Sequence, residues 1–254
     1  MKTLRAMHAN RGIEAAYAKR LRALIAEMLN SVEYWIAAEY KANPPAMAQD
    51  ALPSREMQDQ IKTLSKRWNK RFNKMAENIA KMYMGRVFKA SDDAFMSAMR
   101  DAGMAVKFTM TRPMQDALAS SIAGNVSLIK SIPSKYFDDI EGIVMRSYSA
   151  GRDLHTLSTE LRRRTGATVK RAGFIARDQC NKAGAVVQQA RAKELGFTHA
   201  VWMHSHAGAT PRPDHQAANG KEFEISKGCL ISGEYILPSE KINCRCTYRF
   251  ILPN

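Results

Sequence analysis

The feature that most constrains this chain is a change of periodicity at Gly196. Before it, apolar residues recur every three or four positions, the spacing that lines one face of an α-helix. After it come short β-branched or aromatic runs at Thr198 to Met203, Glu222 to Ile225, Gly233 to Leu237 and Cys246 to Ile251, separated by Gly and Pro turns. The pattern predicts an α+β fold. A mainly helical N-terminal region is followed by a further helical segment and a small irregular antiparallel sheet.

Several helices can be placed within the first part. Arg11 to Tyr40 has no Gly or Pro after Gly12 and reads as one long helix, stopping at Asn43-Pro44-Pro45. Lys41 to Ser54 reads as a linker, with a second helix starting just after Ser54. In that helix Ile61, Leu64, Trp68, Phe72, Met75, Ile79 and Met82 form one apolar stripe. Lys62, Lys66, Arg67, Lys70, Arg71 and Lys74 flank it, as either a solvated face or a contact surface for nucleic acid or an acidic protein. A third helix is expected from Ser91 to Val106, with Asp92 and Asp93 in its first turn, where carboxylates suit the positive end of the helix dipole.

From Arg112 to Pro133 the chain turns rich in Ser, Ala and Gly, and Pro133 marks a fresh helix start. The expected division is therefore 1–120, a helical N-terminal region, and 121–254, an α+β domain. Further helices are expected at Ser134 to Ala150, at Leu154 to Arg164 capped by Asp153, and at Thr168 to Leu195 stopped by Gly196.

The formal charge of +15, from 39 Lys and Arg against 24 Asp and Glu, favours polyanionic partners and is spread over both halves. No run reaches the roughly 18 apolar residues that cross a bilayer, and charges throughout Met1 to Arg22 argue against a signal peptide. Cys180, Cys229, Cys244 and Cys246, without an export signal, suit a reducing compartment in which thiols stay free or hold metal. Cys180 sits mid-helix and reads as a small buried hydrophobe.

The last sixty residues concentrate groups able to bind metal: His204, His206, Asp214, His215, Cys229, Cys244 and Cys246. Thiolates and imidazoles suit zinc, and a small sheet with a thin core is the kind of unit a tetrahedral ion can staple. His215, Cys229, Cys244 and Cys246 form the candidate structural zinc site, set against free thiols and surface histidines. A second reading is a metal-dependent nuclease or hydrolase centred on His204, His206, Asp214 and His215, since on a strand the i, i+2 rings of His204 and His206 share a face. Against an enzyme, the chain has no phosphate-binding loop, dinucleotide fingerprint, H-E-x-x-H helix or nucleophile elbow. A third reading is a free-standing DNA-binding protein.

The order of certain motifs adds a resemblance. Ser131-Ile132-Pro133 leads into a helix followed by Gly151; Arg171-Ala172-Gly173-Phe174-Ile175-Ala176-Arg177-Asp178 lies on a long helix. Glu194-Leu195-Gly196-Phe197 and Trp202 then precede Arg212-x-x-His215-x-x-x-x-Gly220-x-x-Phe223, and Pro238 with Asn243-Cys244-Arg245-Cys246 closes the series. This combination resembles the Mu F-like domain of phage minor head proteins over roughly residues 120 to 250. It departs from the family in having Asp178-Gln179 where Thr-Glu is common. It also has Arg212-Pro213-Asp214-His215 where many relatives carry a Cys pair.

The resemblance implies a non-enzymatic minor capsid protein of a tailed bacteriophage. Its place would be inside the head near the portal vertex, against portal protein and packaged double-stranded DNA, with scaffold or major capsid protein as further partners and ejection with the genome as a possible fate. Trp202, Arg212, His215, Gly220, Phe223, Asn243, Cys244, Arg245 and Cys246 are then expected to form a structural motif. In it Gly220 makes a positive-φ turn, Phe223 packs beneath it and Trp202 anchors the sheet on the long helix.

Overall fold

The computed structural model describes residues 2–42, 55–151, 154–206 and 210–253. The expected linker prolines Pro44 and Pro45 and the expected cap Asp153 lie outside the described residues. Four long helices come first: α1 (Arg11–Ala42), α2 (Arg55–Asp101), α3 (Arg112–Ser149) and α4 (Leu154–Glu194). The small elements follow as β1 (His199–Met203), α5 (Pro213–Ala217), β2 (Glu222–Glu224), β3 (Cys229–Ile231), β4 (Glu234–Ile236) and β5 (Thr247–Phe250). The α+β expectation holds.

Helix α1 starts where Asn10 Oδ1 accepts the N–H groups of Gly12 at 2.9 Å and Ile13 at 3.1 Å, relieving two donors that have no partner inside the helix. The other long helices are fewer and longer than the sequence suggests. Helix α2 runs straight through Ser91, so the carboxylates expected at a helix start lie inside one. Asp93 pairs with Lys89 one turn back at 2.9 Å, and Asp92 faces a distant arginine. Helix α3 contains Pro133 instead of starting there. The missing donor and ring clash cost about 3 kcal/mol. On either side, Ile129, Ile132, Tyr136, Phe137 and Ile140 are all buried, and each large apolar side chain gains roughly 1.5 to 3 kcal/mol, so the stripe outweighs the proline. Helix α4 likewise continues through Gly166, joining two helices expected to be separate. Residue 120 thus falls inside α3.

Packing groups the chain into two units. One comprises Ala18–Ala80 and Gly124–Ile175. It is a four-helix arrangement whose core includes Leu21, Ile25, Met28, Val32, Trp68, Phe72, Ile132, Tyr136 and Leu161. Each helix is tied to the next. Trp68 Nε1 donates to Ser31 Oγ at 3.3 Å, Ser134 Oγ to Asn69 Oδ1 at 2.9 Å, Arg171 to Ser131 Oγ at 3.0 Å, and Arg162 pairs with Glu33 at 3.4 Å. Arg71 pairs with Glu27, and Arg164 with Asp139. The apolar stripe on α2 is buried from Ile61 to Phe72 and again at Ile79, while Met82 is 40% exposed. An α-helix turns 3.6 residues per cycle, so the buried line drifts to Ala76, Ala80 and Tyr83.

The other unit comprises Met1–Tyr17, Lys81–Ala123 and Ala176–Asn254. Its antiparallel sheet has the order β2-β1-β5, with Val201 opposite Glu222 and Arg249, and Trp202 opposite Tyr248. Strands β3 and β4 form a separate hairpin closed by Ser232 and Gly233, both at positive φ, as a two-residue turn requires. The N-terminal residues extend the sheet: Leu4 N–H donates to the Phe250 carbonyl at 2.8 Å, and Leu4 and Met7 are 1% exposed in the core. Phe95 of α2 joins Phe250 at 5.6 Å and Phe197 at 6.3 Å between ring centroids, which fastens helix to sheet.

At the centre of this unit Arg191 of α4 is 1% exposed. It grips Asp92 with two bonds of 2.7 and 2.8 Å, donates to the Thr109 carbonyl at 2.9 Å and to Glu194 at 2.7 Å, and lies 4.4 Å over the Phe108 ring. Replacing Arg191 by Met leaves Asp92 facing the interior unpaired, and should lower unfolding free energy by about 3 to 5 kcal/mol in urea titration. Burial alone would push the Glu194 carboxyl up, but bonds from the Thr111 hydroxyl and the Arg191 guanidinium hold it below its ordinary value. Its contribution to stability is therefore present above the ordinary glutamate range and lost as pH falls through the depressed folded value. Glu194→Gln should flatten that part of the acid-unfolding curve.

Candidate functional site

The site grows from the end of β1. Trp202 N–H donates to the Lys221 carbonyl and Gly220 N–H returns a bond to the Trp202 carbonyl, both at 2.8 Å. Asn219 Oδ1 accepts the His204 N–H at 2.8 Å. Gly220 sits at φ +84°, as expected from the Asn-Gly pair, and a Cβ there would meet nothing within 4 Å. Trp202, fully buried, and Phe223 share the core with Ala192 of α4.

Between strand and turn lies α5, opened by Arg212 with Pro213 in its first turn. Asp214 Oδ1 accepts the His215 N–H at 2.8 Å and its Oδ2 accepts the Ser232 hydroxyl at 3.1 Å. Burial would raise the Asp214 carboxyl, yet these two donors and the His215 imidazole hold it down. Helix α5 thereby points His215, 4% exposed, inward against the edge of Trp202, with ring centroids 5.3 Å apart.

Residues 237 to 246 reach His215 from the other side. They have little regular structure, and side chains from elsewhere fix them. Arg212 donates to the Ile242 carbonyl at 2.9 Å, Asp178 of α4 accepts the Asn243 N–H at 2.6 Å, and Ser239 donates to the Cys246 carbonyl at 2.9 Å. Asn243, at φ +59°, turns the chain. Cys244 and Cys246, i and i+2 in the stretch before β5, then bring their sulfurs to the same imidazole. His215 Nδ1 stands 3.5 Å from Cys244 Sγ and 3.7 Å from Cys246 Sγ. The thiols also interact: a hydrogen bond from Cys246 lowers the Cys244 proton affinity against the effect of burial, and raises that of Cys246.

A cavity of about 520 Å³ opens beside this cluster, lined among others by Arg177, His204, Arg212, His215, Asn243 and Arg245. Arg177 also bonds Glu14 at 3.3 Å. The Arg245 guanidinium has its proton affinity lowered by burial and by the neighbouring charges of Arg177 and Arg11.

The structure brings together three of the four proposed metal ligands. Among the described residues, the donor atoms of His215, Cys244 and Cys246 lie within 4.8 Å of one another; Cys229, buried on β3, is outside the group. The alternative set of His204, His206, Asp214 and His215 does not form such a group among the described residues. His204 and His206 lie beyond the end of β1, their rings at 88°, and His204 Nδ1 accepts the His206 N–H at 3.1 Å. Part of the loop after them, residues 207 to 209, is outside the described residues. Burial first, and then the neighbouring His206 and His215, lower the proton affinity of His204. Cys180 is fully buried and burial pushes its thiol up to about 12, which fits an inert core role.

Lys62, Lys66, Arg67, Lys70, Arg71 and Lys74 are all exposed on α2; Lys62 has Asp59 at 3.9 Å and Arg71 is taken by Glu27 and stacked 5.1 Å over Trp68. Asp178 was legible only as a departure from a family pattern, and nothing in the sequence joins it to a segment 65 residues away. Its i+4 neighbour Lys182, at 3.1 Å, was the available local signal.

Fold and site together define an α+β protein whose closing segment is held by a thiol and imidazole cluster and by long-range side-chain bonds. Residues 138–249 match the family model described as Phage Mu protein F like protein, and this region is similar to that family. An uncharacterized protein of Haemophilus influenzae is 35% identical over 132 residues, covering 52% of this chain and 29% of that protein. The chain thus spans less than a third of that relative. No solved structure matches.

The hydrogen bond from Asp178 makes a direct prediction. Asp178→Ala leaves the Asn243 N–H unpaired, and thermal unfolding should show a loss of about 1 to 3 kcal/mol. Gly220→Ala should cost about 1 to 2 kcal/mol from backbone strain alone, with Gly220→Asn milder because Asn tolerates positive φ.

Proposed function

We propose that this chain is a minor head protein of a tailed bacteriophage, incorporated beside the portal in contact with packaged double-stranded DNA, with scaffold or major capsid protein as assembly partners, and without catalytic turnover. The observation that carries the reading is the family match over residues 138–249, which includes the whole braced segment from Arg212 to Cys246. The family match supports phage head morphogenesis and association with the virion.

Charge supports the DNA contact. At +15 the chain attracts a polyanion, and the lysine row on α2 repeats every four residues, a spacing that keeps its ammonium groups on one face. The non-enzymatic reading draws on the use of the polar groups. Asp214, Arg212 and Asp178 each hold backbone or side chains in place, and His215 is enclosed by Trp202 and two thiols.

Purified particles should contain the chain by mass spectrometry. Reversing Lys62, Lys66, Lys70 and Lys74 to Glu should reduce head incorporation or lower DNA affinity by about tenfold or more near physiological salt. Unchanged incorporation and unchanged DNA retention would remove α2 as the contact surface. Incubation with labelled DNA and RNA in zinc, magnesium or manganese should give no cleavage; His215-dependent cleavage would favour the hydrolase reading.

A further inference from the structure

We propose that His215, Cys244 and Cys246 bind one zinc ion through two thiolates and an imidazole, with solvent from the adjoining cavity as fourth ligand. The inference is independent of the head-protein reading.

Geometry is the first support. In a tetrahedral site with bonds of about 2.3 Å to sulfur and 2.0 to 2.1 Å to nitrogen, the nitrogen-to-sulfur edges are about 3.5 to 3.6 Å and the sulfur-to-sulfur edge about 3.8 Å. The two observed nitrogen-to-sulfur separations are 3.5 and 3.7 Å, and all three donor atoms lie within 4.8 Å. On the two nitrogen-to-sulfur edges an ion fits with shifts of tenths of an ångström, and the sulfur-to-sulfur edge need close by no more than about 1 Å.

Satisfaction of polar groups is the second. Two thiols converge on the single lone pair of His215 Nδ1 and also engage each other, so three donor atoms face one small space. All three residues are buried, at 4%, 4% and 3% exposed, so the donor atoms are held away from bulk water. The indole Nε1 of fully buried Trp202 has no hydrogen-bond partner of ordinary geometry, though it faces the Cys246 sulfur. A buried donor left unsatisfied costs about 1 to 3 kcal/mol. A metal-bound thiolate is an acceptor for such an N–H, and outer partners of this kind orient metal ligands.

The donor set selects the ion. Two thiolates with one imidazole suit zinc, which needs no redox partner and accepts a tetrahedral arrangement. Cys229 stands outside the group, which leaves the fourth position facing the cavity of about 520 Å³ where His204 and Arg212 also lie. The metal would join α5 to the closing segment, two pieces with little regular structure of their own.

The test uses the full chain, purified under reducing conditions and reconstituted with equimolar zinc. Elemental analysis should find about one zinc per chain, and removal by a strong chelator should lower the melting temperature by about 5 °C or more. Cobalt substitution should give a thiolate-to-cobalt charge-transfer band, lost in Cys244→Ser and in Cys246→Ser and kept in Cys229→Ser and Cys180→Ser. Should the serine variants fold poorly, zinc release on titrating the wild-type thiols gives an independent reading, with the ion leaving as two thiols react. A trace-level metal content, a Cys244–Cys246 disulfide in fresh reduced protein, preference for copper or iron, or loss of the metal in Cys229→Ser would each overturn the three-ligand zinc site.

Discussion

Arg191 is a full positive charge buried to 1% exposure, and the arrangement of its unit follows from how that charge is compensated. Removing a guanidinium from water costs several kcal/mol, which only close and well-directed partners offset. Here the partners come from separate stretches: Asp92 on α2, the Thr109 carbonyl in the segment between α2 and α3, and Glu194 one turn further along α4. Satisfying Arg191 therefore fixes the position of residues 92 to 111 against α4. Phe95 lies on the same stretch and meets Phe197 and Phe250, so the orientation of the sheet is set by the same contact.

That dependence explains which parts of the fold could be seen in the sequence. Local rules located the start of α1, the stop at Gly196, the positive-φ turn at Gly220 and four of the five strands among the described residues, because period, capping and turn chemistry act within a few residues. They misplaced the helix breaks. Ser91 with Asp92 and Asp93 reads locally as a helix start, but Asp92 is committed to an arginine 99 residues away. Pro133 reads as a start too, yet the apolar stripe around it keeps the helix whole. Strand β3 was missed because Cys229-Leu230-Ile231 is short and only its pairing with β4 makes it a strand. Residues 2 to 8 carry no strand signature; they join the unit by bonding to the edge of β5.

The site was legible in composition but not in partnership. Histidine, cysteine and glycine at these positions announced a braced segment, and two of the three candidate cysteines meet His215. Cys229 does not, since its place on the β3-β4 hairpin follows from strand pairing and its side chain is buried elsewhere in the core. The tethers that hold the closing segment were invisible for a related reason. Asp178, Arg212 and Ser239 act on backbone groups of residues 242 to 246, and a backbone acceptor or donor leaves no mark in a sequence.

The same bookkeeping of charge bears on the outer surface. The acidic residues are outnumbered from the start, and many are engaged internally: Glu14 with Arg177, Glu27 with Arg71, Glu33 with Arg162, Asp92 and Glu194 with Arg191, Asp139 with Arg164, and Asp178 with Lys182. Arginine dominates the pairs between distant stretches, as its planar fork suits fixed carboxylates, while lysine pairs such as Lys89 with Asp93 and Lys227 with Glu224 are local. Among the described residues Lys66, Lys70 and Lys74 have no carboxylate within ion-pair distance, although Lys62 on the same row has one. A surface row of mobile, strongly hydrated ammonium groups adds little to stability and much to attraction for a polyanion. The pairs that tie distant stretches together are thus made by arginines, and the exposed lysines of the α2 row add positive charge to the surface.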